Sequence, residues 1–298
     1  MAKSARATGR SGGTGVEGTT RVVGIFGDPV DHSLSPRMHN AAFRALDLDY
    51  AYVPFRPTTR TIGAAVEAIR ALGLVGVNIT VPFKGDVIPH LDRVSDAARA
   101  AGAVNTIVNR DGTLLGDNTD VPGFSAALAA AGFRVRGKRA LVIGAGGAAR
   151  GVVYALLAGG AAEVVVANRT RARAADLAKV FASDKARLRL EPVDALVDDA
   201  FLATRQLVVN STSVGLHGGE FLDYAARATP ARCVHFDVAY REGLTPFLKL
   251  ARAARRPLVD GRHMLLHQGA LAFRLFTGKK APLEVMARAI GISTKDRA

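Results

Sequence analysis

Short apolar runs alternate with amphipathic segments along most of the chain. The runs have the length of buried strands, and the segments between them place apolar residues at helical spacing. They predict strands at 22–26, 51–55, 74–79, 104–108 with a hairpin partner at 114–116, 140–143, 164–167, 206–210, 233–238 and near 258. The predicted helices are 37–46, 59–72, 87–100, 121–131, one that ends near 158, 193–202, 246–254, one that carries residue 268 to about 276, and 282–290. This alternation favours an α/β fold of two open α/β layers with largely parallel sheets.

A glycine pattern lies between the strands at 140–143 and 164–167. Gly144, Gly146 and Ala149 follow the first of these strands in a G-x-G-x-x-A spacing, and the second strand closes the βαβ unit within about 30 residues, as a dinucleotide-binding unit requires. Glycines let the backbone approach a pyrophosphate, and the start of the next helix offers it free N–H groups. The pattern in this context predicts a dinucleotide site.

The residues after the second strand of that unit indicate which dinucleotide binds. An NAD site normally has an Asp or Glu there to bond the ribose 2′-hydroxyl, and this chain has no acid at 168–173. Arg169 and Arg173 are suited to a 2′-phosphate, and Asn168 and Thr170 add neutral donors. A solvated basic start of a helix is the alternative interpretation. The position of the arginines relative to the glycines favours the phosphate, and hence NADP.

Charge and cysteine content exclude some classes of function. The formal net charge is +14, but Lys and Arg are scattered along the chain without a helix-turn-helix, zinc or RNA-binding pattern. We therefore expect anionic small ligands and no specific nucleic acid. Cys233 is the single cysteine of the sequence, which rules out an internal disulfide and a cysteine-based metal cluster. The histidines show no metal-ligand spacing, so we expect no metal.

The first twenty residues are rich in Gly, Ser, Thr, Ala and Arg and show no apolar periodicity. They predict a disordered leader at 1–20. The chain has no apolar run long enough for a secretory signal or a membrane span. We expect a cytoplasmic protein with no membrane partner, either a monomer or a homodimer.

Polar side chains of the first half follow the carboxyl ends of predicted strands, where open α/β sheets place their ligand clefts. The set consists of Ser33, Ser35, Asn78, Thr80, Lys84, Asn105 and Asp120. Its hydroxyls, amides, cation and carboxylate suit a small polyhydroxylated acid. A Lys–Asp pair also suits proton transfer coupled to a hydride step, because an ammonium can donate to an alkoxide as it forms.

Structural roles compete for the same residues. Ser35 precedes Pro36 as a natural N-cap, which explains one of the two serine hydroxyls. Either Asp117 or Asp120 could cap the helix at 121–131 with no catalytic role. Spacing alone fits Lys84 equally well to a surface lysine after a turn.

The order of eight motifs resembles the shikimate dehydrogenase family over residues 21–290. The motifs are SLSP at 33–36, NITVPFK at 78–84, AVNT at 103–106, NTD at 118–120, GAGGAAR at 144–150, NRTRAR at 168–173, NSTSVG at 210–215, and DG…ML…QG at 260–269. The resemblance implies reversible, NADPH-dependent reduction of 3-dehydroshikimate to shikimate. It also implies that the C-terminal helices complete the first domain. We therefore predict a substrate-binding and catalytic domain from 21–120 with 259–298, and a Rossmann-like NADP domain at 121–258.

The resemblance also implies roles for individual residues. Lys84 and Asp120 match the catalytic pair. The residues that match the substrate side are Ser33 and Ser35 for the carboxylate, Thr80, Asn105 and Gln268 for ring hydroxyls, Asn78 beside them, and Tyr240, which closes that side. The residues that match the NADP side are Gly144, Ala145, Gly146, Gly147, Ala148, Asn168, Arg169, Thr170, Arg173 and Thr212, with Val238 and Gly261 at the nicotinamide and Asp96 as a further cleft-facing acid.

Three features of the chain bear on alternatives within and outside the family. His263 stands where the family usually has Gly, beside the expected nicotinamide. The segment at 273–278 resembles quinate/shikimate dehydrogenases, which often use NAD, whereas Ser35 argues for shikimate because quinate-preferring relatives tend to have Thr there. An aminoshikimate dehydrogenase is a second rival of this class. A shikimate or nucleotide sensor without turnover is the rival from another class, and the intact Lys84–Asp120 pair counts against it.

Overall fold

The computed structural model describes residues 15–214 and 219–294, and the strands of this part form two six-stranded sheets. Residues 1–14 of the predicted leader and Gly215 of the seventh motif lie outside the described residues. Thr19 and Thr20 depart from the leader prediction, because their hydroxyls bond the Asp49 carboxylate at 2.6 and 2.7 Å.

The first sheet is mixed. Its strands are β1 (Arg21–Phe26), β2 (Tyr50–Phe55), β3 (Gly76–Ile79), β4 (Arg93–Val94), β5 (Thr106–Arg110) and β6 (Thr113–Asp117), in the order β2-β1-β3-β5-β6-β4. β1 pairs in parallel with β2 and β3, whereas β5 is antiparallel to both β3 and β6. The predicted hairpin of β5 and β6 is therefore confirmed. The helices of this region are α1 (Ser35–Ala45), α2 (Ile62–Ala71) and α3 (Asp96–Ala101).

The second sheet is parallel throughout. Its strands are β7 (Arg139–Ile143), β8 (Glu163–Ala167), β9 (Leu188–Glu191), β10 (Leu207–Asn210), β11 (Val234–Asp237) and β12 (Leu258–Val259), in the order β12-β11-β10-β7-β8-β9. Its helices are α4 (Asp120–Ala130), α5 (Gly147–Ala158), α6 (Arg171–Val180), α7 (Asp199–Leu202) and α8 (Pro246–Ala253). The strand order reverses at β7, and such a reversal opens a crevice at the carboxyl ends of the strands.

The continuous apolar runs of β7 and β8 follow from burial on both faces of the second sheet. Successive side chains of a strand point to opposite faces. Ala140 and Val142 accordingly belong to one buried cluster, and Leu141 and Ile143 to another. Neither face of these strands is left to solvent, so the period-two alternation of a half-exposed strand is absent.

The last two helices return to the first sheet. They are α9 (Gly261–Thr277) and α10 (Leu283–Ala289). Phe273 and Met286 lie in the same buried cluster as Val23 of β1 and Phe43 of α1. α9 also packs closely on α4, because a Cβ at Gly123 would lie 2.6 Å from the Cβ of Gln268. Only glycine allows this approach, and it brings Gln268 to the junction of the two sheets.

Two predicted helices are broken in the structure. In place of a helix at 87–100, a 3-10 turn at Ile88–His90 and the short strand β4 precede α3. Pro89 supplies no N–H to a continuous helix, and the Ser95 hydroxyl accepts a hydrogen bond from the N–H of Ala98, which starts a new one. Similarly, Asp198 caps α7 and separates it from a 3-10 segment at Val193–Val197.

The capping predictions at the cleft were also wrong. Leu34 is the N-cap of α1, and Ser35 is the first helical residue without a side-chain capping bond. At α4 neither acid caps the helix, because Asn118 Oδ1 accepts the hydrogen bond from the N–H of Val121 at 3.1 Å. Both the Ser35 hydroxyl and the Asp120 carboxylate are thus released from the structural role that competed with a functional one.

No helix within residues 15–214 and 219–294 is both long and apolar enough to cross a membrane.

Candidate active site

A cleft of about 1580 Å³ lies where the carboxyl ends of the two sheets face each other. All but one of the residues predicted for the site line it. These are Ser33, Ser35, Asn78, Thr80, Lys84, Asn105, Asp120, Gly144, Ala145, Gly146, Gly147, Ala148, Asn168, Arg169, Thr170, Arg173, Thr212, Val238, Tyr240, Gly261 and Gln268.

Asp96 is the residue that the structure leaves out of the cleft lining. It is the exposed first residue of α3, where a carboxylate interacts favourably with the N-terminal end of the helix dipole. The geometry offers no support for a contact between Asp96 and a cofactor.

Lys84 and Asp120 both line the cleft and form an ion pair, with Lys84 Nζ 2.6 Å from Asp120 Oδ2. Lys84 lies in the turn after β3, where its carbonyl accepts a hydrogen bond from the N–H of Val104 at 2.8 Å. Asp120 is the first residue of α4. Their side chains are 18% and 15% exposed, so the pair is screened from bulk water but open to the cleft. A donor and an acceptor of this kind can hold a proton beside a bound carbonyl oxygen.

Amides and hydroxyls beside this pair form a connected buried network. Asn105 Nδ2 donates to Thr119 Oγ1 at 3.0 Å and to Gln268 Oε1 at 3.4 Å, while Asn105 Oδ1 accepts from the N–H of Thr119 at 2.7 Å. Asn78 Nδ2 donates to Thr106 Oγ1 at 3.0 Å. Because each amide already has partners that set its orientation, the groups that face the cleft are pre-organised.

A second polar group lies at the start of α1. Ser33 Oγ accepts a hydrogen bond from the N–H of Ser35 at 3.3 Å. The Tyr240 hydroxyl bonds the side chain of Ser33 and the backbone of Leu34, and burial raises the pKa of this tyrosine. Tyr240 follows β11 of the second sheet, so this contact joins the two walls of the cleft. Two serine hydroxyls held in place by these bonds, at the start of a helix whose N-cap Leu34 makes no side-chain capping bond, suit a carboxylate.

Tyr52 is a supporting residue that the sequence interpretation missed. Its hydroxyl donates to Asn78 Oδ1 at 2.7 Å and bonds the Ser35 side chain, and burial raises its pKa well above the ordinary value. It therefore orients two predicted substrate-side residues without lining the cleft. The signal in the sequence is one of two tyrosines in a largely apolar strand, which is too common a pattern to identify the role.

The opposite end of the cleft is shaped by the glycine loop after β7. Gly144 has φ +109°, and a Cβ there would lie 2.8 Å from both Ser211 Oγ and Thr212 Cγ2. A Cβ at Gly146 or Gly147 would meet no atom within 4 Å, so the loop faces open space. α5 begins at Gly147 without a side-chain cap and without an acid in its first turn. Its free N–H groups are available to a phosphate, which fits a dinucleotide.

The arginine-bearing segment lies beside this loop. Arg169 and Arg173 are exposed and line the cleft, while Arg171 between them does not. Asn168 Nδ2 donates to the carbonyl of Thr170 at 2.7 Å, which holds the turn before α6. Two guanidinium groups after the end of β8 are suited in charge and donor geometry to a 2′-phosphate.

Gly261 allows α9 to start against the end of β11. A Cβ at this position would lie 2.6 Å from the carbonyl oxygens of Val238 and Ala239. His263, the residue that departs from the family pattern, is not among the residues that line the cleft. Its side chain therefore does not form the wall next to Val238 and Gly261.

The described histidines, cysteine and acids form no group of three that could hold a metal ion. Cys233 is buried, and desolvation raises its pKa to about 12, so the thiol is a packing group.

Comparison with known proteins agrees with this geometry. Residues 25–107 match the family model of the shikimate dehydrogenase substrate binding domain, 127–217 match shikimate / quinate 5-dehydrogenase, and 261–290 match the shikimate 5′-dehydrogenase C-terminal domain. The shikimate dehydrogenase (NADP(+)) of Carboxydothermus hydrogenoformans is 41% identical over 93% of this chain and 99% of its own length.

Solved structures extend the likeness to three dimensions. The shikimate 5-dehydrogenase of Thermus thermophilus in complex with NADP(H) and shikimate has a TM-score of 0.81 and 38% identity, covering 91% of this chain and 98% of that one. A quinate dehydrogenase of Corynebacterium glutamicum in complex with NAD has a TM-score of 0.82 at 31% identity, covering 91% and 98%. With family models along the chain and relatives above 40% identity over nearly its whole length, the chain belongs to the shikimate dehydrogenase family.

Proposed function

We propose that this protein is an oxidoreductase that reversibly reduces 3-dehydroshikimate to shikimate with NADPH, in the route to aromatic amino acids. The observation that carries the proposal is the Lys84–Asp120 ion pair, with its 2.6 Å contact, in one cleft with the hydroxyl groups of α1 and the glycine loop of β7. A Lys–Asp pair alone would not identify a reaction. Its position between a polar subsite and a dinucleotide site is typical of carbonyl reduction.

In the proposed reaction Lys84 is the proton donor. Reduction of a ring carbonyl adds a hydride to carbon and a proton to oxygen. When bound, NADPH supplies the hydride. The Lys84 ammonium donates a proton to the oxygen as negative charge develops there, and the Asp120 carboxylate keeps the ammonium oriented through the ion pair. In the reverse direction the neutral amine takes the hydroxyl proton.

The substrate-side roles follow the polarity of each group. Ser33 and Ser35 hold the carboxylate at the start of α1, while Thr80, Asn105 and Gln268 hold ring hydroxyls. Asn105 and Gln268 are almost fully buried and share a hydrogen bond, so their positions are set before substrate arrives. Asn78 supports this side through Thr106, and Tyr240 closes it.

The cofactor-side roles divide by the charge of the bound group. Gly144, Ala145, Gly146, Gly147 and Ala148 hold the pyrophosphate at the start of α5. Asn168, Arg169, Thr170 and Arg173 hold the adenosine 2′-phosphate, and Thr212, Val238 and Gly261 border the nicotinamide. The open space beside Gly146 and Gly147 fits a phosphate group.

We also propose that 21–120 with 259–298 form the substrate-binding unit and 121–258 the cofactor-binding unit. The shared buried cluster of β1, α1, α9 and α10 supports this division. We place the protein in the cytoplasm as a monomer or homodimer, without a specific nucleic-acid or membrane partner. The relatives do not favour the alternatives of quinate oxidation, aminoshikimate oxidation or turnover-free sensing, and the assay below tests the first and the last of these.

The test is a near-ultraviolet absorbance assay of nicotinamide reduction that crosses shikimate and quinate with NADP⁺ and NAD⁺. We expect fast turnover with shikimate and NADP⁺ only. Equal or faster turnover of quinate, or with NAD⁺, would contradict the assignment of Ser35 or of the arginines. No turnover in any combination would contradict the enzymatic function itself.

A further inference from the structure

We propose that Asp237 is a positioning residue that fixes the cofactor-side wall of the cleft by orienting Asn210 and the backbone of Ala239. This inference rests on the proposed function, because it concerns the wall assigned to the nicotinamide. Asp237 does not line the cleft and matches none of the motifs on which the site was predicted. It would act through its neighbours.

The Asp237 carboxylate is fully buried at the end of β11 and accepts several hydrogen bonds. Oδ1 accepts hydrogen bonds from Asn210 Nδ2 and from the N–H of Ala239, both at 3.0 Å. Oδ2 accepts from Thr245 Oγ1 at 2.5 Å, and Thr245 caps α8 through the N–H of Leu248 at 3.3 Å. Three donors from three chain segments therefore converge on one carboxyl group.

Asn210 transmits this arrangement to the loop after β10. Because its Nδ2 faces the acceptor Asp237, its Oδ1 must face the other way, where it accepts from both the N–H and the hydroxyl of Thr212 at 3.0 and 2.7 Å. A buried amide without a fixed acceptor could rotate and present its NH2 group to Thr212, which would break the bond from the Thr212 N–H and reverse the one with the hydroxyl. Asp237 thereby determines the position of a cleft-lining threonine that it does not touch.

The hydrogen bond from the N–H of Ala239 to Asp237 acts on another part of the same cleft wall. The N–H of Ala239 is held by Asp237, and Val238 and Ala239 both line the cleft. Their carbonyl oxygens lie where a Cβ at position 261 would come within 2.6 Å of each, so the start of α9 rests directly on this segment. A shift of the backbone at 238–239 would therefore move the wall and α9 together.

Electrostatics are consistent with a retained carboxylate. Burial raises the pKa of Asp237 to about 6, opposed by the hydrogen bonds from Thr245, Asn210 and Ala239, and the charge of Asp260 adds to the rise. The group is therefore mainly ionised at neutral pH and accepts hydrogen bonds without donating any. A neutral apolar side chain would avoid the cost of burying this charge but could not orient the three donors.

The experiment compares three variants of the full chain by fluorescence titration of NADPH and by thermal unfolding. Asp237→Ala removes the carboxylate and all three hydrogen bonds that it accepts. Asp237→Asn keeps an oxygen for Asn210 and Ala239 and turns its amide towards Thr245. Tyr224→Phe is the matched control, because it removes a buried 2.5 Å bond to His235 of the same strand without touching the cleft.

We expect Asp237→Ala to raise the Kd of NADPH about tenfold, the effect of one lost positioning interaction, and Asp237→Asn to stay within about threefold of the parent. Tyr224→Phe should lower the Tm and leave the Kd unchanged. If Asp237→Ala does not fold, Asn210→Ala tests the same link to Thr212 and should give the same rise.

An unchanged Kd of NADPH in Asp237→Ala would overturn the inference. An equal rise of this Kd in Asp237→Ala and Tyr224→Phe would overturn it as well. An equal rise of the Kd in Asp237→Ala and Asp237→Asn would also overturn it, because the position of the hydrogen-bond acceptors would then not affect NADPH binding. NADPH titration needs no turnover. A parent protein that binds NADPH but fails to oxidise shikimate would contradict the proposed function and leave this result readable.

Discussion

The ammonium of Lys84 lies 2.6 Å from the carboxylate of Asp120, although 36 positions separate the two residues in the chain. Lys84 is presented by the turn after β3 and Asp120 by the start of α4. The Asp120 carboxylate is available for this contact, since the N–H of Val121 at the start of α4 is bonded by Asn118 Oδ1 and not by Asp120. A carboxylate used for capping would have bonded its own backbone and would be unavailable to the lysine.

Lys84→Ala is expected to lower kcat about a hundredfold or more, with a much smaller change in the KM of shikimate. The physical reason is that proton donation to the forming alkoxide contributes mainly in the transition state. Steady-state kinetics check this. Lys179→Ala is the matched control, since that lysine is 77% exposed and forms an ion pair with the exposed Asp176. A raised KM with an intact kcat would instead make Lys84 a binding residue.

Arg169→Ala and Arg173→Ala are each expected to raise the KM of NADP⁺ about tenfold or more, because each removes a charge-assisted bond to the 2′-phosphate. Activity with NAD⁺ should change little, so the ratio of the activity with NADP⁺ to that with NAD⁺ reports the effect. Arg171→Ala is the control, since this exposed arginine of the same segment does not line the cleft. An equal effect of all three substitutions would indicate a general loss of positive charge.

Arg205 and Arg189 bind the same carboxylate but should differ in their effect on stability. Arg205 is 4% exposed and lies 2.6 Å from Glu163 Oε2, whereas Arg189 is 58% exposed and lies 3.1 Å from Oε1. We expect Arg205→Ala to lower the free energy of unfolding by about 3 kcal/mol and Arg189→Ala by less than about 1 kcal/mol. Denaturant unfolding measures both values. Equal losses would show that burial does not decide the strength of this pair.

His39 is expected to make the protein sensitive to acid. The ring is fully buried against Tyr52, neither nitrogen has a hydrogen-bond partner among the residues that the structure describes, and desolvation lowers its pKa from 6.5 to about 3. The unfolded chain therefore binds one more proton between these values. The contribution of His39 to the free energy of unfolding is fully present above pH 6.5. It falls by about 1.4 kcal/mol per pH unit as the pH drops towards 3.

His39→Phe should reduce that slope, measured by denaturant unfolding between about pH 7 and pH 4. Burial lowers the pKa of His235 to about 4, so this histidine also lowers the free energy of unfolding as the pH falls. Asp237 contributes with the opposite sign between 3.8 and about 6, because its pKa is raised by burial. Both groups are present in parent and variant, so the difference isolates His39. An unchanged slope would mean that the imidazole is not buried in its neutral form.

Local signals predicted the parts of the fold that depend on one segment at a time. The strands β7, β8 and β10 and the helices α4, α5 and α8 were predicted to within a few residues, because their apolar runs and helical spacing are continuous. The helix at 87–100 was wrong since Pro89 and Ser95 divide it, and that choice depends on the hydrogen bond of Ser95 to Ala98.

The sequence by itself determined the inventory of the site: the glycine loop, the arginines after β8, and the polar residues at the ends of strands. These signals are local because a backbone turn or a strand end needs particular residue types in sequence. The pairing of Lys84 with Asp120, the role of Tyr52 and the orientation of Asn210 by Asp237 were decided only in the tertiary structure. Each depends on a hydrogen bond between segments far apart in the chain, and no spacing rule encodes which donor meets which acceptor once both are buried.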